Sequence, residues 1–222
     1  MYNPDRTAMS NAETTTKNST RAQVRRWNGT DLGLIAVFAA LVAGAALVPG
    51  LALNGFGVPI TFQTLAVMLT GLVLGPARGF AAVGLYTLLG LAGLPIFSQG
   101  RSGLAILAGP SAGYIIAFPI AAFVVGWLAT VVIKRTTKAR ALWFFLSATV
   151  TSIVVVHSLG IVGIALNSKA SLEQAFLGDL VFYPGDIIKN IIAAVIAVAL
   201  HRAFPDVLVR RVRRRALAAE SA

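Results

Sequence analysis

Six long apolar stretches, separated by short polar or glycine-proline turns, constrain this chain more than any other feature. They cover residues 32–48, 60–74, 79–94, 114–133, 141–166 and 180–200. Charged residues make up 12% of the chain, whereas a soluble domain has about 25%. So few charges cannot cover the surface of a water-soluble protein of this length. The sequence therefore predicts an all-α integral membrane protein with six transmembrane helices.

The Lys and Arg residues are distributed unevenly around these stretches. Sixteen precede the first stretch, follow the last, or lie in the second and fourth turns, whereas the other three turns hold two. Because membrane proteins carry excess basic residues on the cytoplasmic side, we expect cytoplasmic termini in a multi-pass protein of the bacterial plasma membrane. The predicted division is a disordered cytoplasmic tail (1–30), a six-helix membrane domain (31–202) and a basic cytoplasmic tail (203–222).

What the sequence lacks excludes several function classes. It has no Cys and only two His, so disulfides, thiolate metal sites and cysteine nucleophiles are excluded. It has no GxxxxGK[ST] motif, so any ATP hydrolysis must come from another subunit. Its basic residues are not interleaved with aromatic ones, which favours contact of the tail with anionic lipids over nucleic-acid binding. We expect no catalytic residue, metal or cofactor.

Two turns on the less basic side have an unusual composition. Residues 49–59 are uncharged and half apolar, and residues 95–113 are rich in glycine with an apolar run at 104–108. Such loops are suited to folding back over a cavity, although a misplaced helix boundary would produce the same pattern.

The sixth stretch carries charges that a membrane helix does not usually contain. Asp186 and Lys189 are three residues apart, hence on one helix face, and Asn190 follows them. Each charge at the bilayer centre costs about 2.5–3.5 kcal/mol on insertion scales. We interpret the three residues as a polar site that opens outward, and the alternative is an ion pair that only joins helices.

Other polar residues are weaker candidates for the same site. Arg101 stands in a glycine-flanked loop, where it is suited to holding a carboxylate, but it is also compatible with simple exposure. Thr61 and Gln63 either line the pocket or cap a helix. His157 is either a hydrogen-bonded packing residue or part of a proton relay. An intramembrane hydrolase or transferase is disfavoured, because only one buried Asp and one buried His are expected.

The first stretch has small residues at four-residue spacing. Ala36, Ala40 and Gly44 fall on one helix face, and such faces allow close helix approach. The face serves either internal packing or contact with the helix of a partner subunit.

Five short strings carry a resemblance to a known family. They are VPITFQTL at 58–65, LGPARG at 74–79, GLAGLPIF at 90–97, GPSAGY at 109–114 and PGDIIK at 184–189. In this order and spacing they resemble the BioY family, the biotin-specific S components of energy-coupling factor (ECF) transporters. The resemblance covers about residues 31–202 and leaves out both tails.

The resemblance implies a function without covalent chemistry. S components are six-helix membrane proteins that capture a vitamin from the outside, and an ECF transmembrane coupling subunit and two cytoplasmic ATPase subunits drive its import. By this resemblance Asp186 and Lys189 contribute to the biotin site, and Arg101 matches a basic loop position associated with it. The Ala36 face resembles the surface that meets the coupling subunit. A solitary biotin carrier without dedicated ECF partners is the alternative.

The chemistry of biotin is consistent with these residues. Asp186 can accept from a ring N–H of biotin, and Lys189 or Asn190 can donate to the ring carbonyl. Either Arg101 or Lys189 can hold the carboxylate. The apolar parts of biotin require apolar and aromatic walls, which we expect from Phe62, Phe97 and Tyr114.

Overall fold

The structure, a computed structural model, describes residues 27–50, 52, 55–136, 138–205 and 207. This part of the chain is helical and contains no β-strand. Its α-helices are α1 (Gly29–Leu47), α2 (Gln63–Leu74), α3 (Pro76–Leu91), α4 (Ala112–Arg135), α5 (Arg140–Thr151), α6 (Ser158–Ser168), α7 (Leu172–Asp179) and α8 (Tyr183–Ala203). The prediction of an all-α protein is confirmed.

Four helical segments are long and apolar enough to cross a membrane. These are α1, α4 and two continuous helices, Arg140–Ser168 and Leu172–Ala203. A π-helical segment, Ser152–His157, joins α5 to α6, and a 3₁₀ segment, Leu180–Phe182, joins α7 to α8. The helices α2 and α3 have 12 and 16 residues, which at 1.5 Å per residue reach only about 18 and 24 Å.

The last helical segment begins earlier than the hydropathy pattern predicts. We expected a loop over 167–179 and a helix from 180, but α7 already begins at Leu172. A capping box explains the early start: Ser171 Oγ accepts from the Gln174 backbone N–H, and Gln174 Oε1 accepts from the Ser171 N–H. A polar helical turn of this kind is invisible to a search for apolar residues.

Glycine allows three helices to approach backbone to backbone. A Cβ added at Gly71 of α2 would lie 2.5 Å from the carbonyl oxygen of Ala122 in α4. One added at Gly126 of α4 would lie 2.9 Å from the Gly71 carbonyl oxygen, and one at Gly79 of α3 would lie 3.1 Å from the Gly71 Cα. Small residues at such crossings are typical of helices packed in membranes.

The outward faces of the helices are strongly apolar. Large side chains such as Leu88, Trp127 and Ile188 are more than half exposed, while small and apolar side chains of α2, α4 and α8 fill the core. An extensive exposed apolar surface is expected where lipid, and not water, surrounds a protein. The α1 residues Ala36 and Ala40, together with Gly44, also lie on an exposed face.

Candidate functional site

A cavity of about 570 Å³, including its opening, lies where two loops meet the N-terminal ends of α2, α4 and α8. The lining residues are Val58, Pro59, Thr61, Gln63, Thr64, Phe97, Ser98, Arg101, Ile106, Ser111, Tyr114, Ile115, Phe118, Val156, His157, Phe182, Asp186 and Lys189. Both loops with an apolar or glycine-rich composition contribute to the lining, as expected of loops that fold over a cavity.

Asp186 and Lys189 form a buried ion pair on the cavity wall. Lys189 Nζ donates to Asp186 Oδ1 at 2.8 Å, and both side chains are more than 90% buried. Asp186 lies in the first turn of α8, just after the 3₁₀ segment that joins α7 to α8. Asn190 does not line the cavity, although it is buried, and its Oδ1 accepts no hydrogen bond within the described ranges.

A second buried acid and the buried histidine extend this pair. His157 Nε2 lies 3.4 Å from Asp186 Oδ2, and His157 Nδ1 lies 2.8 Å from Asp179 Oδ2. The Tyr114 hydroxyl donates to Asp179 Oδ1. The expectation of a single buried Asp was therefore wrong, because Asp179 ends α7 inside the bundle and is fully buried.

The π-helical segment brings His157 to the cavity. Its hydrogen bonds span five residues instead of the four of an α-helix, so the turn between α5 and α6 holds an extra residue. His157 is the last residue of this segment. The imidazole stacks on the ring of Tyr183, with centroids 4.3 Å apart and planes at 22°. A regular 3.6-residue period cannot predict this register, although π-segments are frequent at functional sites.

Thr61 and Gln63 form a hydrogen-bonded chain on another wall of the cavity. The Thr61 hydroxyl donates to Gln63 Oε1 at 3.1 Å, and Gln63 Nε2 donates to the Tyr86 hydroxyl oxygen at 2.7 Å. The backbone N–H of Gln63 also donates to Thr61 Oγ1 at 3.2 Å. Thr61 therefore lines the pocket, and its hydroxyl oxygen also accepts a hydrogen bond at the start of α2. The two roles considered for Thr61 are thus compatible.

Arg101 reaches the cavity from the loop between α3 and α4. Its Nε donates to the Ser98 carbonyl at 3.2 Å, and its Nη2 lies 3.4 Å from Ser111 Oγ. Within the described ranges no carboxylate forms an ion pair with it. A half-buried guanidinium that meets only neutral groups is suited to receiving an anion.

The same loop is held against α3 by a close contact. Phe97 packs over Gly90, where an added Cβ would lie 2.3 Å from the Phe97 ring. The Gly103 N–H donates to the Gly90 carbonyl at 2.8 Å. Only glycine at position 90 therefore allows the loop to lie in this position.

Aromatic side chains form much of the apolar wall. Phe97 and Tyr114 line the cavity as expected, and Phe118 and Phe182 line it as well. Phe62, which we also expected in the wall, is not a lining residue and is 50% exposed. Phe62 occupies the N-cap position of α2, and its side chain makes no capping hydrogen bond.

Among the described residues, no set of three or more His, Cys, Asp or Glu is arranged to hold a metal ion. The cavity instead combines charged, amide and aromatic groups in an apolar surrounding. This arrangement is suited to binding a small polar molecule with an apolar part and a negative end.

Known proteins resemble this chain over most of its length. A family model described as the BioY family matches residues 15–206. The biotin transporter BioY of Rhizobium etli is 40% identical over 177 residues, which cover 79% of this chain and 95% of that protein. The biotin transporter BioY of Rhodobacter capsulatus is 38% identical over 190 residues, which cover 80% and 96%.

A solved structure shares the fold. The crystal structure of the S-component for biotin from an ECF-type ABC transporter matches with a TM-score of 0.74 and 28% sequence identity. The match covers 80% of this chain and 95% of that one.

Proposed function

The chain belongs to the BioY family, and on this premise we propose that it is the biotin-binding membrane subunit of an ECF-type vitamin uptake transporter. The observation that carries the proposal is the cavity itself. Its wall combines the Asp186–Lys189 pair, aromatic side chains and Arg101, which forms no ion pair with the other described residues. The relatives are named as transporters, and the chain is not an enzyme.

The two ends of biotin find different partners in this cavity. The cyclic urea has two N–H donors and a carbonyl acceptor, which match the carboxylate of Asp186 and the ammonium of Lys189. Because Lys189 is already bound to Asp186, the carboxylate of biotin pairs with Arg101. The thioether ring and the alkyl chain lie against Phe97 and Tyr114.

The arrangement in the membrane follows from the charges. We propose six membrane helices within residues 31–202, with cytoplasmic tails at 1–30 and 203–222 in a bacterial cell membrane. The uneven distribution of Lys and Arg supports this arrangement and a cavity that opens to the outer side. An impermeant thiol reagent on intact cells tests the topology: a single Cys at the exposed position Gln99 reacts, and one at the exposed position Lys138 does not. The reverse pattern contradicts the topology.

The partners follow from the lack of an ATP site in the sequence. An ECF transmembrane coupling subunit and two cytoplasmic ATPase subunits supply the energy, and the exposed face of Ala36, Ala40 and Gly44 supports contact with the coupling subunit. Co-purification with these subunits is the expected result. Uptake by the chain in their absence supports the solitary carrier.

A binding isotherm tests the substrate. The chain is purified in detergent and titrated with labelled biotin, and a vitamin of another class is the control. Saturable binding of biotin at one site, with no competition by the control vitamin, is expected. Equal binding of both vitamins, or of neither, contradicts the proposal.

A further inference from the structure

The proposed binding of biotin uses Asp186 and Lys189 but gives no role to His157 and Asp179. These four side chains form a line of contacts that begins at Asp179 and ends at Lys189. Asp179 and His157 are at most 2% exposed, so water does not satisfy their polar atoms. The arrangement therefore calls for a physical explanation.

The surroundings of the two ring nitrogens indicate the charge of His157: Nδ1 is hydrogen-bonded to Asp179, and Nε2 lies at an ion-pair distance of 3.4 Å from Asp186 Oδ2. Both ring nitrogens face carboxylate oxygens, Nδ1 toward Asp179 and Nε2 toward Asp186. A neutral imidazole carries one N–H and one lone pair, so one of its nitrogens would turn a lone pair toward a carboxylate. An imidazolium donates from both nitrogens. The contacts on both sides are thus satisfied by a positively charged His157.

The charges then alternate along the line. Asp179 and Asp186 are negative, and His157 and Lys189 are positive, so the cluster is neutral as a whole. A neutral, fully paired cluster is the form in which charges are least expensive to bury. Arg101, which lies on the cavity outside this line, is then the group with charge left for an anionic ligand.

His157 is more firmly held than the other partner of Asp186. The imidazole is fixed by Asp179 on one side and by stacking on Tyr183, with ring centroids 4.3 Å apart. Lys189 instead reaches Asp186 through a flexible four-carbon chain. The direction of the Asp186 carboxylate is therefore set from two sides, by Lys189 at 2.8 Å and by the more firmly held His157 at 3.4 Å.

We propose that His157 is a positioning residue for biotin: as an imidazolium supported by Asp179, it holds Asp186 Oδ2 and directs the carboxylate toward the ring N–H of the ligand. This inference rests on the proposed function. A carboxylate has about four lone-pair positions, so one bond to each oxygen leaves acceptor capacity for the ligand. His157 thereby acts on binding through Asp186.

Three substitutions of His157 separate positioning from packing. The side-chain amide of Gln places an N–H close to the position of Nε2, that of Asn places one close to Nδ1, and Met has about the size of Gln without a donor. We expect His157→Gln to bind biotin roughly tenfold more tightly than both His157→Met and His157→Asn, the value of one charge-assisted hydrogen bond. A packing role predicts instead that Gln and Met are alike.

A pH profile of Asp179→Asn gives a second readout. The groups that face His157 are Asp179 from α7 and Asp186 and Tyr183 from α8, while Tyr114 of α4 and Lys189 contact the two carboxylates. Removing one of two carboxylates that stabilise the imidazolium makes its proton easier to lose. The biotin affinity of Asp179→Asn therefore falls at least about fivefold as the pH rises from 6 to 8.5, and the wild-type affinity changes less. Ordinary carboxylic acids are ionised throughout this range, so the change reports on His157.

The controls keep the two hypotheses apart. Thermal unfolding in detergent shows that each variant is folded, and Ser147→Ala removes a buried hydroxyl from α5 away from the cavity and keeps wild-type affinity. Absence of biotin binding by the wild type refutes the proposed function. Wild-type binding with equal affinities of the Gln and Met variants, or with identical pH profiles of Asp179→Asn and the wild type, overturns the role of His157 alone. If the His157 variants do not fold, the pH profile of Asp179→Asn decides.

Discussion

Among the described residues, two buried ion pairs involve Lys or Arg, and they differ in what surrounds them. Lys189 and Asp186 are 2.8 Å apart with side chains 9% and 7% exposed, and Arg78 and Asp31 are 3.3 Å apart with side chains 5% and 10% exposed. Burial and distance therefore do not distinguish them. The first pair lines the cavity, and the second does not.

The partners of the second pair indicate a different task. Arg78 also donates to the carbonyl oxygens of Leu74 and Val207, and Asp31 belongs to the capping box of α1. Arg78, which lies in α3, thus contacts α1, the C-terminal end of α2 and the segment after α8. In this protein, a buried charge therefore marks a binding site only where its remaining hydrogen-bonding capacity faces a cavity.

The largest expected effect on biotin affinity comes from the pair on the cavity. Asp186→Asn and Lys189→Met each remove a charged group that bonds to biotin, which contributes about 1.5–3 kcal/mol. Each also disturbs the remaining partner, since Lys189 loses its counter-charge or Asp186 keeps only His157. Each variant therefore weakens biotin binding by at least roughly 100-fold, or ~2.8 kcal/mol. Titration with labelled biotin measures it. Wild-type affinity in both folded variants would show that this pair is structural as well.

Arg101 gives an intermediate effect that depends on the ligand. Arg101→Gln weakens biotin binding roughly tenfold or more, because a charge-assisted hydrogen bond is lost. It leaves the affinity for biotin amide, which has no negative charge, within about threefold. Parallel titrations with both ligands measure this difference. An equal loss for both contradicts the assignment of Arg101 to the carboxylate.

The Arg78 pair should affect stability and not binding. Arg78→Met leaves Asp31 buried without the guanidinium, so the free energy of unfolding falls by about 3–5 kcal/mol. Thermal unfolding in detergent measures the loss. The folded fraction still binds biotin within about threefold of the wild-type affinity. A loss of affinity as large as that of Asp186→Asn would remove the distinction between the two pairs.

Substitutions on the exposed face of α1 should leave the biotin affinity unchanged. Ala36→Trp, Ala40→Trp and Gly44→Trp add bulk on an exposed face, and a Cβ at Gly44 meets no atom within 4 Å. We expect unchanged biotin affinity and lost uptake in cells, because a bulky residue prevents close approach of a partner helix. Leu88→Trp, at an exposed position of α3, is the matched control and keeps uptake. Normal transport by all three variants shows that this face is not the contact surface.

The sequence predicts the parts of this site that interrupt a hydropathy pattern. Asp186 and Lys189 are visible because they stand inside an apolar stretch, and Arg101 because it stands in a glycine-rich loop. Asp179 is missed since it lies just before the apolar stretch, where an acid is typical of a loop. The burial of Arg78, outside the cavity, is missed for a similar reason, because Arg78 follows Gly75 and Pro76 and resembles an ordinary turn residue.

The remaining details depend on packing that has no local signal. The position of His157 depends on a π-helical register, and Asn190 lies outside the cavity although it is next to Lys189. The start and the length of the last helical segment are also mispredicted, because the capping box at Ser171 begins the helix before the apolar stretch. The tails at 1–26 and 208–222, about which the charge pattern makes predictions, lie outside the described residues.

The most direct test of the central claim is a double-mutant cycle on Asp186 and Lys189. The biotin dissociation constants of the wild type, Asp186→Asn, Lys189→Met and the double variant are measured in the same detergent. If the two side chains act on biotin as one paired site, the double variant loses less binding free energy than the sum of the single losses. Additive losses, or single variants that bind as the wild type does, contradict the claim.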